Sequence, residues 1–361
     1  MNSTTKLFEM GQSIWLDSIT RDMLTNGTLA QYIKDFSVTG LTSNPTIFDH
    51  AIKNTNEYDH DIRKKSEEGL KGESLFLELE LDDLRRAADL FRPIHEQTSG
   101  VDGWVSLELS PLLAQDTAGS VAAAKEIYRR ANRPNIYIKI PGTKEGVPAI
   151  EESLFAGVPI NVTLLFSREQ YLESAEAYVR AMERRIAAGL KPDVHSVASL
   201  FISRWDVAVK DKVPEELRNR LGIAIAKQTY DSYRQLLDSP RVQRIMNAGA
   251  RPQRLLWAST GTKDPKAPEL LYVDALAAPL TINTMPEKTL LALSKQTDAP
   301  PILSTDQTET VDVFKKFAAA GIDTNALAAK LQEDGAKAFV DSWNDLLQRI
   351  ASKSSELAAK Q

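Results

Sequence analysis

The segment "NIYIKIPGT", Asn135 to Thr143, sets a lysine in the middle of an apolar run. β-Branched and aromatic residues dominate it, and Pro141-Gly142 stop it, so it reads as a strand. Lysine is rarely buried without compensation. A buried amine suits one chemistry well. Desolvation favours its neutral form, and a neutral amine can attack a carbonyl to form a Schiff base. The protonated imine then withdraws electrons and permits cleavage between the α and β carbons of the former carbonyl compound. This retro-aldol step needs no metal and no other cofactor. The four histidines, His50, His60, His95 and His195, show no ligand spacing, and cysteine is absent. His195, just before an apolar strand, reads as structural. The chemistry does need acid–base helpers, and Glu108 and Asp17 are the available carboxylates. Asn44 and Asn161 can hydrogen-bond substrate hydroxyls without adding charge.

Such groups must be held by a scaffold. Eight short apolar or alternating runs end at turn residues. They are "SIWLDSI" from Ser13, "GLTSNP" from Gly40, "GWVSLELSP" from Gly103 and "IYIKIP" from Ile136, then "PINVTLLF" from Pro159, "HSVASLF" from His195, "RLLWAST" from Arg254 and "LTINTMP" from Leu280. Helical stretches separate them. In "SREQYLESAEAYVRAMERRIAAG", Ser167 and Gln170 form a capping box and Gly189 supplies the stop. Strand and helix alternating eight times predict an α/β fold, a (β/α)8 barrel. One domain is expected over 1–361, with a helical insertion at about 50–100 and C-terminal helices at about 307–361. The tail "SKSSELAAKQ" is expected to fray.

Strand parity then sorts lumen from mantle. Val105, Leu107 and Leu109 share one face, and Ser106, Glu108 and Ser110 the other. Ile136, Ile138 and Ile140 oppose Tyr137 and Lys139. Val162 and Leu164 oppose Asn161 and Thr163. Thr42 pairs with Asn44, and Asp17 with Trp15. The polar set, Asp17, Thr42, Asn44, Glu108, Lys139, Asn161 and Thr163, gathers where barrel enzymes keep their active sites. Each residue taken alone has another reading. Asp17 could cap the next helix. Asn44 before Pro45 could be a turn residue. Glu108 could be a solvated strand-end charge, and Lys139 could lie on an exposed edge strand. Several strands placing polar groups on one parity favour a shared cavity.

A net charge of −5 without a basic stripe argues against a nucleic-acid partner. No apolar run reaches the ~20 residues that span a bilayer, so no membrane partner is expected. The N-terminus lacks a signal-peptide core. With cysteine absent, a cytoplasmic location is expected. Oligomeric state, monomer or homodimer, is left open.

Six segments, "GLTSNPTIF", "VSLELSP", "IYIKIPGTKEGVPAI", "INVTLLFS", "SVASLFISRWD" and "WASTGTKD", resemble in order the strand-end motifs of the transaldolase family, in its longer bacterial form. The resemblance implies sugar-phosphate substrates. A dihydroxyacetone unit would pass from sedoheptulose 7-phosphate or fructose 6-phosphate to glyceraldehyde 3-phosphate or erythrose 4-phosphate, in the non-oxidative pentose phosphate pathway. It implies Lys139 as the Schiff-base lysine and Asp17 as the acid/base for carbon–carbon cleavage. Glu108 and Thr163 would position the catalytic water, and Asn44 and Asn161 would hold the dihydroxyacetone moiety, with Thr42 on the same wall. Ser199, Phe201 and Arg204 match the site's serine, aromatic and phosphate-binding arginine. Local sequence also allows Arg204 to pair with Asp206. A second phosphate-binding arginine of shorter family members is missing after Ser259. Lys263, with the Ser259 region, is the expected substitute, against the alternative of a solvated loop lysine. The nearest rival activity is a lyase that releases free dihydroxyacetone. Such cousins tend to carry glutamine at the Glu108 position and tyrosine at Phe201. A non-catalytic sugar-phosphate-binding barrel has little need for Lys139.

Overall fold

The computed structural model describes residues 2–359. Eight parallel strands form a closed barrel in sequence order. They are β1 (Gln12–Leu16), β2 (Val38–Thr42), β3 (Trp104–Glu108), β4 (Ile136–Pro141), β5 (Ile160–Leu165), β6 (Ser196–Phe201), β7 (Arg254–Ala258) and β8 (Thr281–Met285). β8 closes onto β1 from Gln12↔Thr281 to Leu16↔Met285. The expected (β/α)8 architecture is the one observed. Closure leaves no edge strand, which removes the exposed-edge reading of Lys139.

The mantle face carries residues such as Ile136, Ile138, Val105 and Leu107, all fully buried beneath the helices. The lower lumen is filled by rings. Tyr137 stacks on Trp104 at 4.1 Å, and Trp15 tilts toward Tyr137 at 6.1 Å. Gly40 makes room for this packing, because a Cβ there would sit 2.6 Å from the Trp15 indole. His95 and His195 pack on Trp104 at 4.8 and 4.9 Å. Burial pushes His195 down to about 4, so it is neutral at physiological pH and serves the core.

Two connections and the segment after β8 are long. Between β2 and β3 lie helices Pro45–Asn54, Asp59–Glu67 and Gly72–Gln97. Between β6 and β7 lie Ser203–Val209, Leu221–Asp238 and Pro240–Asn247. After β8 come Glu287–Ser294, Thr308–Ala319 and Thr324–Ala358. The Gly72–Gln97 helix is pinned to the β1–β2 connection by buried Asp83, which accepts from Arg21 Nε and the Tyr58 hydroxyl at 2.8 Å each. The capping box is present: Gln170 N donates to Ser167 Oγ at 3.2 Å, and Ser167 N donates to Gln170 Oε1 at 3.2 Å.

The Thr324–Ala358 helix does more than cover a side. Leu331, Gly335, Phe339 and Trp343 recur at four-residue spacing on one face. Trp343 meets Phe76 edge-on at 5.1 Å, while Leu331 and Phe339 reach the barrel mouth. Gln332 Nε2 donates to the carbonyls of Gly142, just after β4, and Leu164, in the last turn of the pleat of β5, each at 3.0 Å. Sequence reading expects the end of this segment to fray. Instead the helix runs to Ala358, held by buried Leu357; residues 360 and 361 lie outside the described range.

Candidate active site

Register builds the centre. Glu108 on β3 is level with Lys139 on β4, which is level with Asn161 on β5. Thr163 comes level with Pro141, one turn of the pleat higher. Equal parity points all four inward. Ten of the twelve expected residues line one cavity of about 650 Å³ at the C-terminal ends of the strands: Asp17, Thr42, Asn44, Lys139, Thr163, Ser199, Phe201, Arg204, Ser259 and Lys263.

The other two sit behind the wall. Glu108 lies beside the lysine, with Oε2 2.5 Å from Lys139 Nζ, and both side chains are less than 10% exposed. Asn161 is fully buried. Its Nδ2 donates to Ser106 Oγ at 3.0 Å, and its Oδ1 accepts from Ser199 Oγ at 2.7 Å. Parity directs Asn161 inward at the level of Lys139, but its shorter side chain does not reach the cavity that the lysine enters. It orients Ser199, which does line it.

The buried ammonium is compensated twice, by Glu108 and by the Ser43 carbonyl, 3.3 Å from Nζ. The acids around it are all displaced in one direction. Burial pushes Glu108 up, opposed by Lys139. Burial likewise pushes Asp17 up, opposed by Lys139 and by the hydrogen bond from Thr42. Thr42 Oγ1 donates to Asp17 Oδ1 at 2.7 Å and lies 3.0 Å from Thr284 Oγ1. Asp17 does not cap the next helix; Thr20 does. Asn44 does cap the Pro45–Asn54 helix, accepting from Thr46 N at 3.0 Å through Oδ1. That bond uses the amide oxygen and leaves Nδ2 as the group free to donate into the cavity. Thr163 Oγ1 is buried without a protein partner. A small polar molecule between it and Glu108 would satisfy both.

The cavity carries two further cations, Arg204 and Lys263. The Arg204 guanidinium stands over the Phe201 ring at 5.3 Å and is mostly desolvated, which pushes it down from the usual arginine range. It has no ion-pair partner among the described residues. Asp206, the alternative partner, is taken: it accepts from the Tyr272 hydroxyl at 2.8 Å and from Leu221 N at 2.9 Å. Ser203 and Ser259 Oγ lie 2.8 Å apart beside it. Ser259 adopts a left-handed φ of 57°, which turns the chain toward Gly261 and Lys263 on the rim. A half-buried, unpaired guanidinium flanked by hydroxyls and a lysine is suited to a phosphate.

Several lining groups escape sequence reasoning. Thr284 and Pro286 come from β8 and its end, and Leu331 and Phe339 from the C-terminal helix. Lys139 Nζ lies 5.9 Å from the Phe339 ring centroid. Gly335 in that helix is the signal that was available. A glycine inside a long helix costs about 1 kcal/mol, and here a Cβ would come 3.3 Å from the Arg204 guanidinium and 3.1 Å from Leu164.

A family model described as Transaldolase/Fructose-6-phosphate aldolase matches residues 14–350. A protein named Transaldolase from Saccharopolyspora erythraea is 42% identical over 95% of this chain and 95% of its own length. One of the same name from Thiobacillus denitrificans is 41% identical over 97% of this chain and all of its own. Transaldolase 2 from Nostoc sp. is 35% identical over 98% of both. With its lysine at the heart of a closed barrel and its match spanning nearly every strand and helix, the chain belongs to the Transaldolase/Fructose-6-phosphate aldolase family.

Proposed function

We propose that the protein transfers a dihydroxyacetone unit from sedoheptulose 7-phosphate to glyceraldehyde 3-phosphate through a Schiff base on Lys139, yielding erythrose 4-phosphate and fructose 6-phosphate. Full-length similarity to proteins named transaldolase makes it a transferase of the transaldolase type. The observation that carries the mechanism is a buried lysine, 2.5 Å from Glu108, in the same cavity as Arg204, which has no ion-pair partner among the described residues. A ketose phosphate fits that polarity, with its carbonyl at the amine and its phosphate at the guanidinium.

In this reading Glu108 accepts a proton from Lys139 directly across their 2.5 Å contact and, with Thr163, holds the water that serves the dehydration and hydrolysis steps. The freed amine adds to the substrate carbonyl, and loss of water gives the iminium. Asp17, steadied by Thr42, takes the proton of the β-hydroxyl. The bond between the α and β carbons breaks, its electrons pass to the iminium, and the first aldehyde leaves. The enamine then adds to the acceptor aldehyde, Asp17 returns the proton, and hydrolysis frees Lys139. Asn44 Nδ2 and Ser199 hold the dihydroxyacetone hydroxyls, with Asn161 acting through Ser199. Lys263 and Ser259 complete the phosphate site. The proposal extends to the non-oxidative pentose phosphate pathway and to a cytoplasmic location; no described helix is long and apolar enough to cross a membrane.

Borohydride reduction in the presence of fructose 6-phosphate, followed by peptide mapping, tests the reading. A three-carbon adduct on Lys139 is expected. An adduct on another lysine, or none, overturns it. The lyase alternative is disfavoured by Glu108 beside Lys139, where lyase cousins tend to carry glutamine, and by Phe201, where they tend to carry tyrosine. Rapid release of free dihydroxyacetone from fructose 6-phosphate alone would reverse that preference.

A further inference from the structure

The Gly72–Gln97 helix brings a third acid to the centre. Its buried stripe includes Phe76, Glu80, Asp83, Leu84 and Ala87. Asp83 is neutralised by Arg21. Glu80 is 1% exposed and has no cation within ion-pair distance among the described residues. Its Oε1 accepts from Ser43 Oγ at 3.2 Å, while its Oε2 is buried without a partner. The same Ser43 offers its carbonyl to Lys139 Nζ. One residue therefore bridges the acid and the amine.

The groups facing Glu80 are Glu108 from β3, Lys139 from β4 and Asp83 on its own helix, besides Ser43. Two carboxylates and one ammonium already balance unevenly there, once Asp17 is included. A further buried anion would be costly. Burial first, and the charge of Glu108 second, push Glu80 up to about 8.

Building on the Schiff-base reading, we propose that Glu80 is a positioning residue for the amine. It stays protonated on Oε2 behind Ser43 and so limits the negative charge around Lys139. When it ionises, it releases a proton to solvent and leaves a new buried anion beside the centre. That anion stabilises the ammonium form against the attacking amine, and the reaction slows. The inserted helix thus carries an alkaline off-switch.

The test is the pH profile of kcat in the full-length protein, with folding checked at each pH by circular dichroism. The wild type should lose activity through a limb near pH 8. In E80Q, which cannot ionise, the limb should move up by at least about one pH unit, and E80D should restore an ionisable limb. An unmoved limb in E80Q overturns the role. If E80Q does not fold, S43A serves: it removes a hydrogen bond that favours ionised Glu80, so its limb should shift to higher pH, and an unmoved limb again overturns the proposal. Borohydride trapping on the wild type separates the two readings. A Lys139 adduct with unmoved limbs removes only the Glu80 role; no adduct removes the Schiff-base reading and this one with it.

Discussion

Lys139 Nζ and Glu108 Oε2 stand 2.5 Å apart on adjacent strands, at the same level of the barrel and almost out of reach of solvent. Removing the lysine would leave Glu108, Glu80 and Asp17 facing one another without a cation. Lys139→Met should abolish turnover. It should also cost about 3–5 kcal/mol, as expected for a broken buried pair. The three acids are already displaced upward, so they can take up protons cheaply at low pH. The loss should therefore be smaller at pH 5 than at pH 8. Urea unfolding at the two pH values measures it.

Arg204 should act on the phosphate and on little else. Arg204→Ala should raise KM for phosphorylated donors by about 10- to 100-fold, the scale of a lost charge-assisted contact, and leave unphosphorylated analogues nearly unaffected. Lys263→Ala, removing a single exposed point charge on the rim, should show the same selectivity at a few-fold level. Equal effects on both substrate types would remove the phosphate role.

Gly335 leaves the Arg204 guanidinium its space. Gly335→Leu should displace that group and raise KM for phosphorylated donors. Gly335→Ala should come close to neutral in stability, since the helical gain of about 1 kcal/mol offsets a 3.1–3.3 Å approach. Steady-state kinetics and thermal melting of the two variants check this pair of outcomes.

Asp206, buried beneath Tyr272, is pushed up to about 6 by burial. Its folded form holds a proton more tightly than the unfolded chain does. The stability it contributes is therefore complete below pH 3.8 and is lost as pH rises through about 6. About two pH units correspond to about 3 kcal/mol. Asp206→Asn should flatten the dependence of stability on pH between those values by up to that amount. Urea midpoints at pH 4 and pH 7 read the difference.

Much of this was legible because strands have a period of two. Parity alone put Lys139, Glu108, Thr163 and Thr42 on one side, and closure of the barrel turned that side into a cavity. Parity does not fix how far a side chain reaches, which is why Lys139 enters the cavity while Asn161, at the same level, stays buried behind Ser199. Helices were harder to read. Glu80 lies within a helical stripe whose partner cannot be known until the insertion docks. Gln332 and Phe339 look like ordinary residues of a long amphipathic helix until its axis is seen to cross the mouth. Both depend on contacts between segments more than 100 residues apart, for which the local pattern carries no code.

The stacked rings of Trp104 and Tyr137, with Trp15 against them, have a kinetic consequence. They fill the lumen below Lys139, so the cavity has its door at the C-terminal ends of the strands. In the proposed reaction the departing aldehyde and the arriving one must share that door. Traffic is then strictly alternating. The first product has to clear the passage before the second substrate can enter, and an excess of either aldehyde should queue against the other. The covalent enamine of the proposed reaction makes the double-reciprocal plots parallel, and the shared door adds competition between the two aldehydes.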